Sequence, residues 1–287
     1  MATYPSVDQR TVVVVVKDDA NSLTMRDLFI SFHIRKSANS TPSDSRIDIY
    51  NQSVSSASFI KERGIEVLVA AGYAEPVQLF KGDIRRVERI RQGVTTITRI
   101  ICGGNIKGRT NSLFAWDYAE ESSVREIVTA ATQEIPDVIL GDITVIPDGA
   151  TIPEFVALNK PDRVIADALS RLDPPLIHYV EDGVLHVRRK TVDDTAKGAA
   201  ASTALLSERT GMIGAPTVID KGIKVKSVMN GLFQLNAKIR VESEYEGTGD
   251  YTIKGIEHVG ANRHGPFHTE LTLREPPRFS AASLGLE

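Results

Sequence analysis

The segment GGNIKGRT, residues 103–110, comes nearer to a catalytic signature than any other stretch of the chain. It follows a run of β-forming residues and approximates Gly-x4-Gly-Lys-Thr, a loop whose backbone amides cradle phosphate. Arg109 stands where the loop's lysine belongs and no apolar-periodic helix begins at Thr110, so a Gly-rich exit turn is the better reading. Metal chemistry needs clustered donors. His264 and His268 have the spacing of a helical ligand pair, but Gly265-Pro266 between them forbids the helix. His178 and His186 flank one hairpin and can face each other across it, with no carboxylate or thiolate set beside them. With His33 and His258 they read as solvated or interface histidines. Gly-x-Ser-x-Gly and His-Glu-x-x-His are absent, and Cys102 lies beside glycines with no recognisable partner. The carboxylate pairs Glu120-Glu121 and Asp193-Asp194 sit in polar, surface-like segments, where such groups are solvated. No catalytic residue, cofactor or metal is expected. The remaining charged feature is Arg85, Arg86, Arg89 and Arg91, which alternate along a strand and its turn. That pattern suits an interface face, the lining of a lumen or a solvated face.

The elements that would carry these residues are mostly strands. Residues 29–101 run through FISFHIRK, RIDIYNQS, GIEVLVAAGYAEP, VQLFKGDIRRVERI and TTITRII, short segments broken by turns. Alternation puts Ile30, Phe32 and Ile34 on one face and Ser31, His33 and Arg35 on the other; Ile47, Ile49, Val67 and Val69 continue the inward row. Gly64, Gly72, Pro76, Gly82 and Gly93 punctuate the breaks. This is a small β-barrel, completed or capped by the early strand Val12–Val16. Its SANSTPSDS stretch, 37–45, is a hairpin tip in which Ser37, Pro42 and Asp44 are candidates for partner contacts.

Past Ile101 the texture changes. Val124, Ile127, Val128, Ala131 and Ile135 recur at helical spacing, and Ser123 with Glu126 forms a Ser-x-x-Glu capping box, predicting a helix over 123–134. A β-rich linker, DVILGDITVIPDG, leads to a second helix, PDRVIADALSRL, with Pro161 in its first turn. LIHYVEDGVLHVRRK then reads as a hairpin turning at Asp182-Gly183. Together these form a compact α/β unit. After the small, polar linker 191–204, alternating strands return as GIKVKSVM, AKIRVESEYE, DYTIKGIEHV and FHTELTLR, followed by a loose tail.

The two strand-rich regions share an order. In each, a strand ending in Tyr (Tyr73, Tyr245) precedes one with Lys-Gly (Lys81-Gly82, Lys254-Gly255), then a turn and a final alternating strand. The repeat implies two related β-barrels separated by an α/β insertion. The expected divisions are 1–110, 111–195 and 196–287, giving a fold that is mainly β.

A length of 287 residues, 41% of them hydrophobic and 25% charged, fits a globular protein of two or three domains. The longest aliphatic run, Val12–Val16, is far short of the ~18–20 residues that span a bilayer, so no membrane insertion is expected. No secretory leader is expected either, since no basic segment and apolar run open the chain. A net charge of -3 and a pI near 6.1 argue against general nucleic-acid or anionic-membrane binding. The single cysteine excludes an internal disulfide and points to folding in a reducing cytosol.

The opening block, with IDIYNQS, GIEVLVAAGY and LFKGDI, resembles the first barrel of phage tail baseplate hub proteins. The run LLSERTGMIGAPTVIDKGIKVKSVMNGLFQLNAKIRVESEY, then GDYTIKGIEHVG and FHTELTLR, is similar to their second barrel. The resemblance spans nearly the whole chain. It implies two tail-tube-like β-barrels flanking a small α/β domain, and a homotrimer. Three subunits with two barrels each would adapt the sixfold tail tube to the threefold central spike, with the tape measure protein as a further partner. It implies a structural virion protein, assembled in the host cytoplasm, with no catalytic signature to carry over. Interface candidates are Ser37, Pro42, Asp44, Arg85, Arg86 and Arg89. The alternative is a cell-wall-degrading hydrolase or peptidase of a phage tail, which zymography and a metal assay would reveal.

Overall fold

The computed structural model describes residues 10–275 except 19, 38–44, 61–64, 74, 104–112, 118–120, 137 and 190–203. The fold is mainly β. In the first region β1 (Arg10–Lys17), β2 (Ser22–Met25), β3 (Ile30–Ser37) and β4 (Ser45–Tyr50) lead to a short helix, α1 (Val54–Phe59). After it come β5 (Glu66–Tyr73), β6 (Val77–Gln92) and β7 (Thr95–Gly103). The alternation foreseen from sequence is what buries one face: Val12, Val14 and Val16 lie directly opposite Ala71, Val69 and Val67. Ile30, Phe32, Ile34, Ile47 and Ile49 close the same core.

The middle region contains β8 (Phe114–Asp117), β9 (Glu121–Ser123), α2 (Val124–Gln133), β10 (Ile139–Leu140), β11 (Thr151–Pro153), β12 (Val156–Asn159), α3 (Pro161–Ser170), β13 (Leu176–Glu181) and β14 (Val184–Arg189). Both helices bury the stripe their spacing predicts, Val124, Ile127, Val128 and Ala131 against Val164, Ile165, Ala168 and Leu169, in a second core. Two expectations are corrected. Ser123 stands at the N-cap, but its side chain makes no capping bond. It is held in β9 opposite Thr151, and the next N–H, that of Val124, donates to the Ala150 carbonyl. The linker foreseen as β-rich is mainly turns, with only Ile139–Leu140 in a strand; Asp142 folds back to accept from the Thr144 N–H. The β13–β14 hairpin turns where expected: Asp182 (φ 51) and Gly183 (φ 83) both occupy the left-handed region that a two-residue turn requires.

The third region holds β15 (Ala204–Ser207), β16 (Met212–Ile219), β17 (Gly222–Val228), β18 (Lys238–Glu242), β19 (Gly249–Ala261) and β20 (Phe267–Arg274) around a third core. Within it the strand order is β16-β17-β20-β19-β18. In the first region it is β3-β4-β7-β6-β5. These are the same order, strand for strand and all antiparallel. The internal repeat is therefore a repeat of topology, although its residue alignment shifts. β6 and β19 each carry a bulge against the following strand, between Ile84 and Arg86 and between Ile253 and Gly255. Matching the bulges sets Lys254 beside Arg85, so Lys81-Gly82 and Lys254-Gly255 are not equivalent positions. The two halves are not separate: β3 pairs with β19, making one continuous sheet of thirteen strands among the described residues.

Candidate assembly surfaces

The joint between β3 and β19 ties the first strand-rich region to the third. Seven antiparallel partners run from Ser31 opposite Ala261 to Ser37 opposite Gly255. Along its exposed side Glu257 accepts from His33 at 2.9 Å and faces Arg35 at 3.4 Å. The β19–β20 turn finishes the joint. Asn262 donates to the Leu28 carbonyl and accepts from the Ile30 N–H, Arg263 donates to the Asp27 carbonyl, and His264 stacks on Phe29 at 4.5 Å. Arg10 donates to the Gly265 carbonyl at 2.8 Å and lies over the Phe267 ring.

His258 points inward from the joint. Its Nδ1 lies 2.9 Å from Thr269 Oγ1, which also accepts from the Asn230 N–H and donates toward Met229 Sδ at 3.7 Å. Burial, reinforced by the nearby Lys36 ammonium, lowers this histidine to about 3. The unfolded chain takes up a proton near pH 6.5 that the folded chain refuses down to about 3, so stability is lost as pH falls through that window, by about 1.4 kcal/mol per pH unit. Wild type is expected to lose ~2 kcal/mol more than His258→Gln between pH 7.5 and 5.0 in denaturant melts. Equal losses would show that His258 titrates normally.

The middle region docks through its hairpin turn. Lys36 Nζ, 10% exposed, lies 2.6 Å from Asp182 Oδ2 and 3.6 Å from Glu181 Oε1, while the Lys81 N–H donates to Asp182 Oδ1 at 3.1 Å. Burial raises the Glu181 carboxyl, with Lys36 acting against the rise. A third polar joint lies within the first region, where Arg99 makes a two-pronged bond to the buried Asp48 at 2.8 and 3.0 Å.

The residues singled out from sequence are scattered by this geometry. Ser37 ends β3 opposite Gly255; Pro42 and Asp44 lie outside the described residues, as does most of GGNIKGRT. Arg85 occupies the β6 bulge, half-buried, its guanidinium covering the position a Cβ on Gly103 would need. Arg86 and Arg89 are exposed beyond the bulge, Arg86 paired with Glu88 at 2.8 Å. His178 and His186 do not face each other. The register sets His178 opposite Val187 and His186 opposite Tyr179, so His178 bonds Asp162 at 2.8 Å and His186 stacks on Tyr179. Among the described residues no group of three or more His, Cys, Asp and Glu is placed to hold a metal, and no helix is long and apolar enough to cross a membrane. Sequence reasoning missed Lys36, Asp182, Glu257 and the Asp48–Arg99 pair. Their partners are 51 to 224 residues apart, and only the pairing of strands brings them together.

A family model described as Baseplate hub gp41 matches residues 10–273, nearly all of the chain. The chain belongs to the baseplate hub gp41 family. The hub is a structural protein of the bacteriophage tail, and its place is the virion. No curated protein matches it. Among solved structures, a tail protein from Neisseria meningitidis MC58 is similar with a TM-score of 0.62 at 12% identity, over 92% of the hub and 96% of that chain. The 43 kDa tail protein of prophage MuSo2 from Shewanella oneidensis matches with TM-score 0.62 at 10% identity, over 92% and 97%. The E. coli c3393 protein, a type VI secretion component described as similar in structure to T4 bacteriophage tail proteins gp27 and gp5, matches with TM-score 0.55 at 13% identity, over 96% and 76%. At these identities the likeness is one of fold.

Proposed function

We propose that three hubs close into a ring at the tail tip, each supplying two tube-like β-barrels, 1–110 and 196–287, with the α/β insertion 111–195 between them. Six barrels then meet the sixfold tail tube, and the threefold ring meets the central spike. The observation that carries this reading is the five-strand order β3-β4-β7-β6-β5 repeated as β16-β17-β20-β19-β18. Two similar units per chain are what a threefold ring needs to present a near-sixfold face. The hub acts by symmetry matching and not by catalysis. Ser37, Pro42 and Asp44, with Arg85, Arg86 and Arg89 on β6, contact the tail tube protein, the central spike protein or the tape measure protein. Assembly takes place in the host cytoplasm. Mass photometry is expected to give a species of about three times 31.3 kDa, alone or once the spike protein is added. Monomers only, in both conditions, would overturn the ring.

A further inference from the structure

β6 and β19 hold the same place in the two copies of the five-strand order. Aligned on their bulges, residues 86–92 correspond to 255–261. In both strands the neighbour on one side stops short: β5 pairs only as far as Asp83, and β18 only as far as Thr252. On the side so vacated, 255–261 is covered by β3. On the corresponding side of 86–92, no strand lies among the described residues. Burial follows the cover. Ile256, His258, Gly260 and Ala261 are buried, whereas Arg86, Arg89, Arg91 and Gln92 are exposed. The hairpin turns differ in the same way. The β19–β20 turn is docked on residues 27–30, and in the β6–β7 turn Val94 is 98% exposed.

The strand that covers β19 is β3, and the counterpart of β3 is β16. Among the described residues β16 is the end strand of the sheet, paired on one side by β17, with Ile213 43% and Val218 63% exposed. One chain therefore makes the joint once and carries both unmatched halves of a second. An open backbone edge with exposed apolar side chains is a template for another strand.

Building on the ring reading, we propose that β16 of one subunit adds antiparallel to residues 86–92 of β6 in the next, repeating between chains the β3–β19 joint made within each. The register transfers as well. His33 is opposite Arg46 on one side and Val259 on the other; Thr217 is opposite Lys224, the counterpart of Arg46, so it falls opposite Ile90 of the next subunit. Ile219 then falls opposite Glu88, as Arg35 does opposite Glu257. The bulge between Ile213 and Thr217 holds Pro216, which has no N–H to donate, out of the ladder. β16 carries no charged residue, so it adds to the arginine-bearing edge without repulsion. Two β6 edges facing each other would oppose arginines, which disfavours a two-fold dimer. A head-to-tail contact of this kind closes a ring when its rotation is a third of a turn, as the ring reading requires, and runs on as a filament otherwise.

Cys102 is the only native cysteine and is buried, so introduced cysteines report cleanly. The full chain carrying Thr217→Cys and Ile90→Cys is expected to give covalent dimers and trimers, and nothing larger, on mild oxidation. Chains carrying one substitution each should cross-link only when the two are mixed. Val218→Lys is expected to lose the trimer by mass photometry while keeping its circular dichroism and thermal midpoint. A trimer by mass that neither cross-links nor responds to Val218→Lys overturns this edge assignment and leaves the ring standing. A chain that stays monomeric with and without the spike protein overturns both.

Discussion

Replacing Gly260 with valine is expected to cost about 3 kcal/mol, at the upper end for overpacking, and to disrupt the joint between the two halves of the sheet. A Cβ at this position would lie 2.5 Å from Phe32 Cζ and 2.9 Å from Phe267 Cδ2. Neither ring can retreat: both are buried, they meet edge to face, Tyr73 packs on Phe267 at 5.1 Å, and Arg10 covers it. The clash must be relieved by moving β3 away from β19, which opens the ladder from Ser31 to Ser37. Gly255→Ala, at the other end of the same ladder, meets nothing closer than 3.3 Å and serves as the control, with a change under ~1 kcal/mol. Denaturant melts followed by hydrogen exchange in β3 and β19 would measure both. A Gly260→Val hub with wild-type stability and protected β3 amides would show that the joint is not packed as described.

Removing Lys36 is the second large effect. Lys36→Met leaves Glu181 and Asp182 facing each other at a site where Glu181 is 12% exposed and already raised by burial, and breaking one side of such a cluster costs roughly 3–5 kcal/mol. Discounting for Asp182, which is 25% exposed and retains the Lys81 N–H, about 2–3 kcal/mol is the reasonable expectation. The loss should be local: hydrogen exchange is expected to accelerate in the 176–189 hairpin while β1 and β5 keep their protection. Pairing Lys36→Met with Asp182→Asn should cost less than the two separate losses combined, because they remove one interaction. Strict additivity would mean that the hairpin is held by something else.

Local pattern revealed both long helices and those strands that bury a continuous face of their own: Val12, Val14 and Val16 or Val164, Ile165, Ala168 and Leu169 announce themselves by spacing alone. β16 was not foreseen, since Gly214 and Pro216 interrupt its alternation and an edge strand has only one neighbour to satisfy. The Ser123 capping box did not form: Ser123 is held in β9 opposite Thr151 and makes no side-chain capping bond, a tertiary pairing that local spacing does not show. The assembly surfaces were the least legible part. Lys36, Asp182, His33 and Glu257 are ordinary surface residues by sequence, and their roles exist only once β3 lies against β19 and the hairpin turn lies over Lys36. The arginines of β6 were visible as a cluster, but the edge they border follows from where β5 stops.

The Asp48–Arg99 bridge has a counterpart in the repeat with its charges exchanged. Lys226 on β17 pairs with Glu270 on β20 at 3.1 Å, at the positions equivalent to Asp48 on β4 and Arg99 on β7. A chain that builds the same five-strand unit twice risks assembling one unit from pieces of both, within a molecule or between nascent neighbours. If β4 were to take the place of β17 beside β20, Asp48 would meet Glu270; with β17 beside β7, Lys226 would meet Arg99. Each mistaken exchange sets like charges face to face, and each correct one joins opposites. The exchanged charges thus favour each half pairing with itself over a mixture of the two, by the modest amount that a half-exposed pair such as Lys226–Glu270 contributes.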